Sequence, residues 1–146
     1  MPASSITVGL VASPGNAGAK VSETLLKLQE ACFAENDRRK LDDSYWWLAV
    51  DGKKPVGFAG LKPEKYGFAF LCLAGVIASQ RGRRIHARLI RARVRFARKL
   101  GLKRLITYTS ASNPASSNSL IRAGFLAYTP AYSWAGTEVC YWQKEL

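Results

Sequence analysis

The stretch that most constrains this chain is the passage from an almost unbroken apolar run, Phe68–Ile77, through Ala78–Gly82 into an arginine-rich segment. A charge-free run of that length predicts a strand buried on both faces. Gly75 inside it marks a bulge or the close approach of another group. From Arg83 the period changes. Ile85, Leu89, Ala92, Phe96 and Leu100 recur at the spacing of one helix face, and Gly101 is placed to stop the helix. A strand feeding a helix through a short turn points four unpaired backbone N–H groups, and the positive end of the helix dipole, at one spot. That arrangement is a cradle for anions, phosphate above all. Arg81, Arg83 and Arg84 add charge-assisted donors there. The chemistry predicts a phosphate-bearing ligand at 81–87.

The remaining elements follow from period and turn chemistry. Ile6–Val11 reads as a short strand, and Val21–Ala34 as a helix striped by Val21, Leu25, Leu28 and Cys32. Glu35–Ser44 is a charged loop. Tyr45–Val50 and Val56–Leu61 form a hairpin around Asp51-Gly52. Leu102–Thr109 is a strand, and Pro114–Ala123 a short helix with proline in its first turn and Gly124 after its end. Phe125–Thr129 and Val139–Gln143 close the sheet, joined by a loop through Tyr132 and Trp134. The order β-α-β-β-β-α-β-α-β-β is an α/β layout with a mostly antiparallel sheet. At 146 residues the chain is expected to be one domain over 1–146.

Composition excludes several function classes. No apolar run is long enough to span a membrane, and no basic-then-apolar secretion signal opens the chain. Cys32, Cys72 and Cys140 are odd in number and far apart, and His86 is the single histidine, so neither a disulfide framework nor a metal site is expected. A reducing, cytoplasmic setting follows from that cysteine usage. The net charge of +12 is concentrated. Residues 81–104 carry eleven positive side chains and no acidic one. Such a block is either a solvated helix face or a surface for a polyanion.

Two segments resemble the GCN5-related N-acetyltransferases. That family's acetyl-CoA site has an Arg/Gln-x-x-Gly-x-Gly/Ala pattern five residues after a strand valine. Val76 and Arg81-Gly82-Arg83-Arg84-Ile85-His86 occupy this register. The family's Asn-x-x-Ser/Ala segment, leading through a short helix to Gly-Phe, is matched by Asn113 and Ser116 through Gly124-Phe125. The resemblance implies a mixed, mostly antiparallel sheet flanked by helices and splayed between the fourth strand, Phe70–Ile77, and the fifth, Leu105–Thr109. It implies that backbone groups of Ala74 and Val76 bond the pantetheine arm of acetyl-CoA. Amides of Gly82, Arg83, Arg84, Ile85, His86 and Ala87 would hold the pyrophosphate beside Arg81, and Asn113 and Ser116 would line the arm's other side. The implied reaction is direct attack of an amine on the thioester, without metal.

Departures from the pattern matter equally. Arg84 and His86 stand at the two family glycines. A helical φ at Arg84 with its side chain turned outward, and a surface or phosphate-contacting His86, are the expectations. Leu120 replaces the family's general-acid tyrosine, and the buried strand has no carboxylate, Glu64 being the nearest acid in sequence. Tyr108, Tyr128 and Tyr132 are the candidate proton donors. Tyr132 and Trp134 are candidates for binding the acceptor, a small-molecule or protein amine. Cys72 and Cys140 are expected only to pack. The arginines beyond the first helical turn exceed what CoA requires. They leave open an RNA-borne amine, an RNA or acidic protein partner, a homodimer contact, or a CoA-binding scaffold without activity.

Overall fold

The computed structural model describes residues 5–146. Eleven elements follow the expected order with one division: β1 (Ile6–Ala12), α1 (Ala19–Cys32), β2 (Tyr45–Asp51), β3 (Lys54–Pro63), β4 (Phe68–Phe70), β5 (Ala74–Val76), α2 (Ile85–Lys99), β6 (Arg104–Ser110), α3 (Pro114–Arg122), β7 (Leu126–Tyr128) and β8 (Val139–Glu145). The single strand expected over Phe68–Ile77 is two short strands, because only its first half keeps a neighbour on both sides. β4 pairs antiparallel with β3 and parallel with β6, whereas β5 pairs antiparallel with β3 alone. The sheet order is β1-β2-β3-β4-β6-β8-β7, and every other pairing is antiparallel.

The hairpin signal at Asp51-Gly52 is met: Asp51 faces Lys54 across the β2–β3 turn, with Gly52 at φ +62°. Side chains alternate along β2, so each face of the sheet receives its own core. On one face Trp47 and Ala49 pack with Leu89, Ile90, Val94 and Ala97 of α2. On the other, Trp46 and Leu48 pack with Leu25 and Leu28 of α1. Helix α1 has no capping side chain at Gly18, so its apolar stripe holds it in place. Burying each leucine fully contributes about 1.5–3 kcal/mol.

Arg93 departs from the rest of the basic block. It lies on the buried face of α2 and is 2% exposed, where its Nε donates to Leu89 O at 3.2 Å and its Nη1 to Gly60 O at 3.1 Å. Cys72 is buried as expected, but Cys140, near the start of β8, is exposed. Among the described residues no helix is long and apolar enough to cross a membrane, and no three His, Cys, Asp or Glu side chains gather as a metal site.

Candidate active site

The division between β4 and β5 opens the sheet. β4 and β6 stay paired from Phe68/Arg104 to Phe70/Ile106. Two further bonds extend the contact: Leu71 N donates to Ile106 O at 2.9 Å, and Thr107 Oγ1 donates to Leu71 O at 2.8 Å. Beyond them the chain leaves β6 and follows β3 alone. Gly60 N donates to Leu73 O at 2.8 Å and Ile77 N to Val56 O at 2.9 Å. Bonded and non-bonded pairs alternate in an antiparallel ladder, so the N–H and C=O of Ala74 and Val76 point away from β3, into the gap. The β5 backbone thus presents an edge that no strand pairs, opposite the end of β6.

Gly75 is needed where it stands. A β-carbon there would lie 2.8 Å from the Phe58 ring and 3.0 Å from Cys32 Cβ. The close approach marked in the sequence is that of α1 over β5. Any side chain would push α1 off the strand.

The turn after β5 contains Gly82 at φ +83° and Arg84 at φ +60°, ψ +23°, immediately before α2. The helical φ expected at Arg84 is therefore corrected: the residue is left-handed. A β-carbon in that conformation costs roughly 1–2 kcal/mol. Its side chain is exposed.

A cavity of about 630 Å³ adjoins this turn. It is lined by Ala74 and Val76 from that edge, Arg81, Gly82, Arg84, Ile85, His86 and Ala87 from the turn and first helical turn, and Asn113 and Ser116 from the start of α3. Arg81 Nε donates to Val76 O at 3.2 Å. Arg83, grouped with these residues in the sequence, turns away. Its guanidinium pairs with Asp51 at 2.9 Å and also bonds Gln80. Hydrogen bonds from Ser5 and Arg83 hold the Asp51 carboxyl below the ordinary carboxylate range. Asn113 caps α3, its Oδ1 accepting from Ser116 N at 3.2 Å and its Nδ2 donating to Ser116 Oγ at 3.0 Å. Pro114 then occupies the first helical position, where no N–H is missed.

A second cavity of about 490 Å³ meets the first at Phe33, Ala74, His86, Asn113 and Ser116. Its walls are the gap itself (Phe70 to Leu73 against Thr107 to Ser110), the loop residues Asn36 to Arg39, and Arg93 and Leu120. His86 is thus a half-buried residue at the junction of the two cavities; of the two positions expected of it, this excludes the open surface and leaves the phosphate-contacting one. Burial, aided by the nearby Arg93 charge, pushes its pKa down to about 4, so the imidazole is neutral at pH 7. Burial likewise lowers Arg93 to about 10, which leaves it cationic. Burial raises the Cys72 and Cys32 thiols, so neither is a thiolate nucleophile at neutral pH.

The mouth of this second cavity is aromatic. Phe70 and Tyr108 stack with centroids 5.9 Å apart, and Trp134 stands edge-on to both at 5.5 Å. The Trp134 loop is fastened by Tyr141, whose hydroxyl accepts from Ala135 N at 2.9 Å and donates to Gly136 O at 2.7 Å. The Arg39 guanidinium lies 5.4 Å over the Phe70 ring. Of the three candidate proton donors, Tyr108 lines the cavity. Tyr128 sits on β7 against Tyr141, and Tyr132 is 74% exposed on the loop; neither lines either cavity. Trp134 backs the mouth through its ring contacts. Glu64 pairs with Lys62 at 3.4 Å, outside both cavities. Asp37 supplies the one carboxylate among the residues lining them.

Sequence reasoning singled out neither the loop residues Asn36 to Arg39 nor the buried Arg93. The loop carried no motif, and its position depends on Gln29, a polar residue one step from a leucine in a helical stripe. Arg93 was hidden among ten other cations.

The acetyltransferase (GNAT) family profile matches residues 19–125. None of the curated proteins searched matches the chain. Among solved structures, an IAA acetyltransferase from Bacillus cereus superposes with a TM-score of 0.74 at 18% identity, over 97% of this chain and 100% of that one. A Bacillus subtilis acetyltransferase in complex with CoA gives 0.75 at 15% identity, over 97% and 99%. A Bacillus anthracis protein assigned as a streptothricin acetyltransferase, in complex with acetyl coenzyme A, gives 0.62 at 17% identity, over 81% and 71%. These likenesses concern the fold, and the profile covers most of the chain. With the strand gap, the left-handed turn at Arg84 and the capped α3 in the family's register, the chain belongs to the acetyltransferase (GNAT) family.

Proposed function

We propose that the protein is an active N-acetyltransferase that moves the acetyl group of acetyl-CoA onto a primary amine by direct attack. The observation that carries this reading is the backbone edge at Ala74 and Val76, paired with no strand, beside the N-terminus of α2. An extended amide-bearing arm can lie along that edge as an added strand. Its phosphates then reach the amides at 82–87 together with Arg81 and Arg84. This threads the thioester toward the cavity between Phe70 and Tyr108, where the acceptor enters past Trp134. The amine nitrogen attacks the carbonyl carbon, the C–N bond forms and the C–S bond breaks. CoA leaves as thiolate and takes up a proton, and the amine gives one up. Backbone donors aimed at the carbonyl oxygen stabilise the charge that develops there. The second reading is a CoA-binding protein without activity. It is favoured by the buried, hydroxyl-free Leu120 at the family's general-acid position.

Calorimetric titration with acetyl-CoA, followed by thiol-release assays over a panel of small amines, peptides and aminoacyl-tRNA, tests both. One-to-one binding with amine-dependent thiol release supports the enzyme. Binding without release from any acceptor supports the inactive relative. A folded sample that binds neither acetyl-CoA nor CoA refutes both.

A further inference from the structure

We propose that the outer face of α2 binds the phosphodiester backbone of a nucleic acid. Arg88, Arg91, Arg95, Arg98 and Lys99 fall within one sector about 100° wide on a helix of about 3.6 residues per turn and span about 17 Å of its axis, and Arg84 stands just before its first turn as the sixth cation. Arg88 is half-buried, with Nη1 donating to Ile6 O at 2.9 Å; the other five are exposed. Among the described residues none of the six forms an ion pair. The paired cations are Lys27, Arg39, Lys62, Arg83 and Arg104.

Two facts set this stripe apart from an ordinary solvated face. Solvated helices interleave charges of both signs, whereas α2 has no acidic residue and places like charges three and four positions apart, an arrangement that destabilises a helix. The charge is also local: the chain outside 81–104 is nearly neutral. Nor does the cofactor account for it. Of the six, only Arg84 lines a cavity; Arg91, Arg95, Arg98 and Lys99 line neither.

The chemistry selects phosphodiesters. Five of the six cations are guanidinium groups, whose planar fork engages phosphate oxygens in pairs. They recur about once per helical turn, about 5.4 Å apart, a repeat suited to a polymer of evenly spaced anions. Natural acidic proteins interrupt their carboxylates with other residues, whereas a nucleic acid carries an anion at every repeat unit.

The test is anisotropy titration of the full chain with labelled single-stranded RNA of about 20 nucleotides, duplex DNA of about 20 base pairs and polyglutamate of matched length. Salt is set at about 50 and about 150 mM. For four contacted phosphates, the threefold rise in salt should weaken binding about 20-fold for the single strand and about 50-fold for the duplex. The tighter of the two identifies the polymer. Arg91→Glu/Arg95→Glu/Arg98→Glu should lose the interaction, and Arg91→Lys/Arg95→Lys/Arg98→Lys should retain most of it. Circular dichroism and the unfolding midpoint check that each variant is folded, and Arg95→Ala serves if the triple reversal is not. No binding by the folded wild type at the lower salt, or undiminished binding by a folded charge-reversal variant, overturns the proposal. So does tighter binding to polyglutamate, which assigns the face to an acidic protein. None of these readouts depends on acetyl transfer.

Discussion

Gln29 holds the backbone of Arg39 from both sides. Its Nε2 donates to Arg39 O at 3.1 Å, and Arg39 N donates to its Oε1 at 2.8 Å. The carboxamide is fully buried in α1. Trp46 adds a second tie, with Nε1 donating to Leu41 O at 2.9 Å. The charged loop after α1 is therefore anchored at its middle, and this anchor sets Arg39 over Phe70 at the cavity mouth.

Replacing Gln29→Leu removes both bonds and leaves a backbone donor and acceptor unpaired. A loss of about 1–3 kcal/mol is expected in urea unfolding. Because Asn36 to Arg39 line only the second cavity, acetyl-CoA affinity should stay unchanged while the KM of the acceptor rises. A weakened acetyl-CoA affinity, read by calorimetry, would contradict this division of the site.

Arg84→Gly should have opposite effects on stability and on binding. Glycine accepts the left-handed φ without the β-carbon penalty, so the free protein gains up to about 1 kcal/mol. The lost guanidinium should weaken acetyl-CoA about 5- to 10-fold, in the range of one charge-assisted hydrogen bond. Unfolding curves and calorimetric titration of one preparation measure both.

His86 makes stability depend on pH on the acid side. Its folded-state pKa near 4 lies below the unfolded value of about 6.5, so between those limits the unfolded chain binds more protons. Above about pH 6.5 the residue contributes no pH dependence. As pH falls from 6.5 to 4, stability should drop by up to about 3 kcal/mol. His86→Gln should remove this fall. A wild-type unfolding free energy that is flat across the window would refute it. As the single histidine, its imidazole resonances also report the titration directly.

Tyr108→Phe keeps the stack on Phe70 and removes only the hydroxyl. If that hydroxyl returns the proton to the departing thiolate, kcat should fall about 100-fold with little change in acceptor KM. Trp134→Ala should instead raise the acceptor KM and leave acetyl-CoA affinity alone. A Tyr108→Phe enzyme with full kcat would assign the proton to water.

Much of this was readable from residue order alone. The strand–turn–helix junction, the β2–β3 turn at Asp51-Gly52 and the Asn113–Pro114 cap each depend on local backbone chemistry, which a few neighbouring residues specify. So does the amphipathic stripe of α2, whose period is written in consecutive side chains. The tertiary structure decided what those elements face. An unbroken apolar run cannot announce that its first half will bond both β3 and β6 and its second half β3 alone, because strand pairing is chosen by partners distant in the chain. For the same reason the run Phe68–Ile77 hid the gap that makes the site. Only assembly buried Arg93, set His86 at the junction of the two cavities, turned Arg83 to Asp51, and placed the unremarkable loop Asn36 to Arg39 over Phe70. Burial and electrostatic environment are properties of neighbours in space, and a linear order of residues does not contain them.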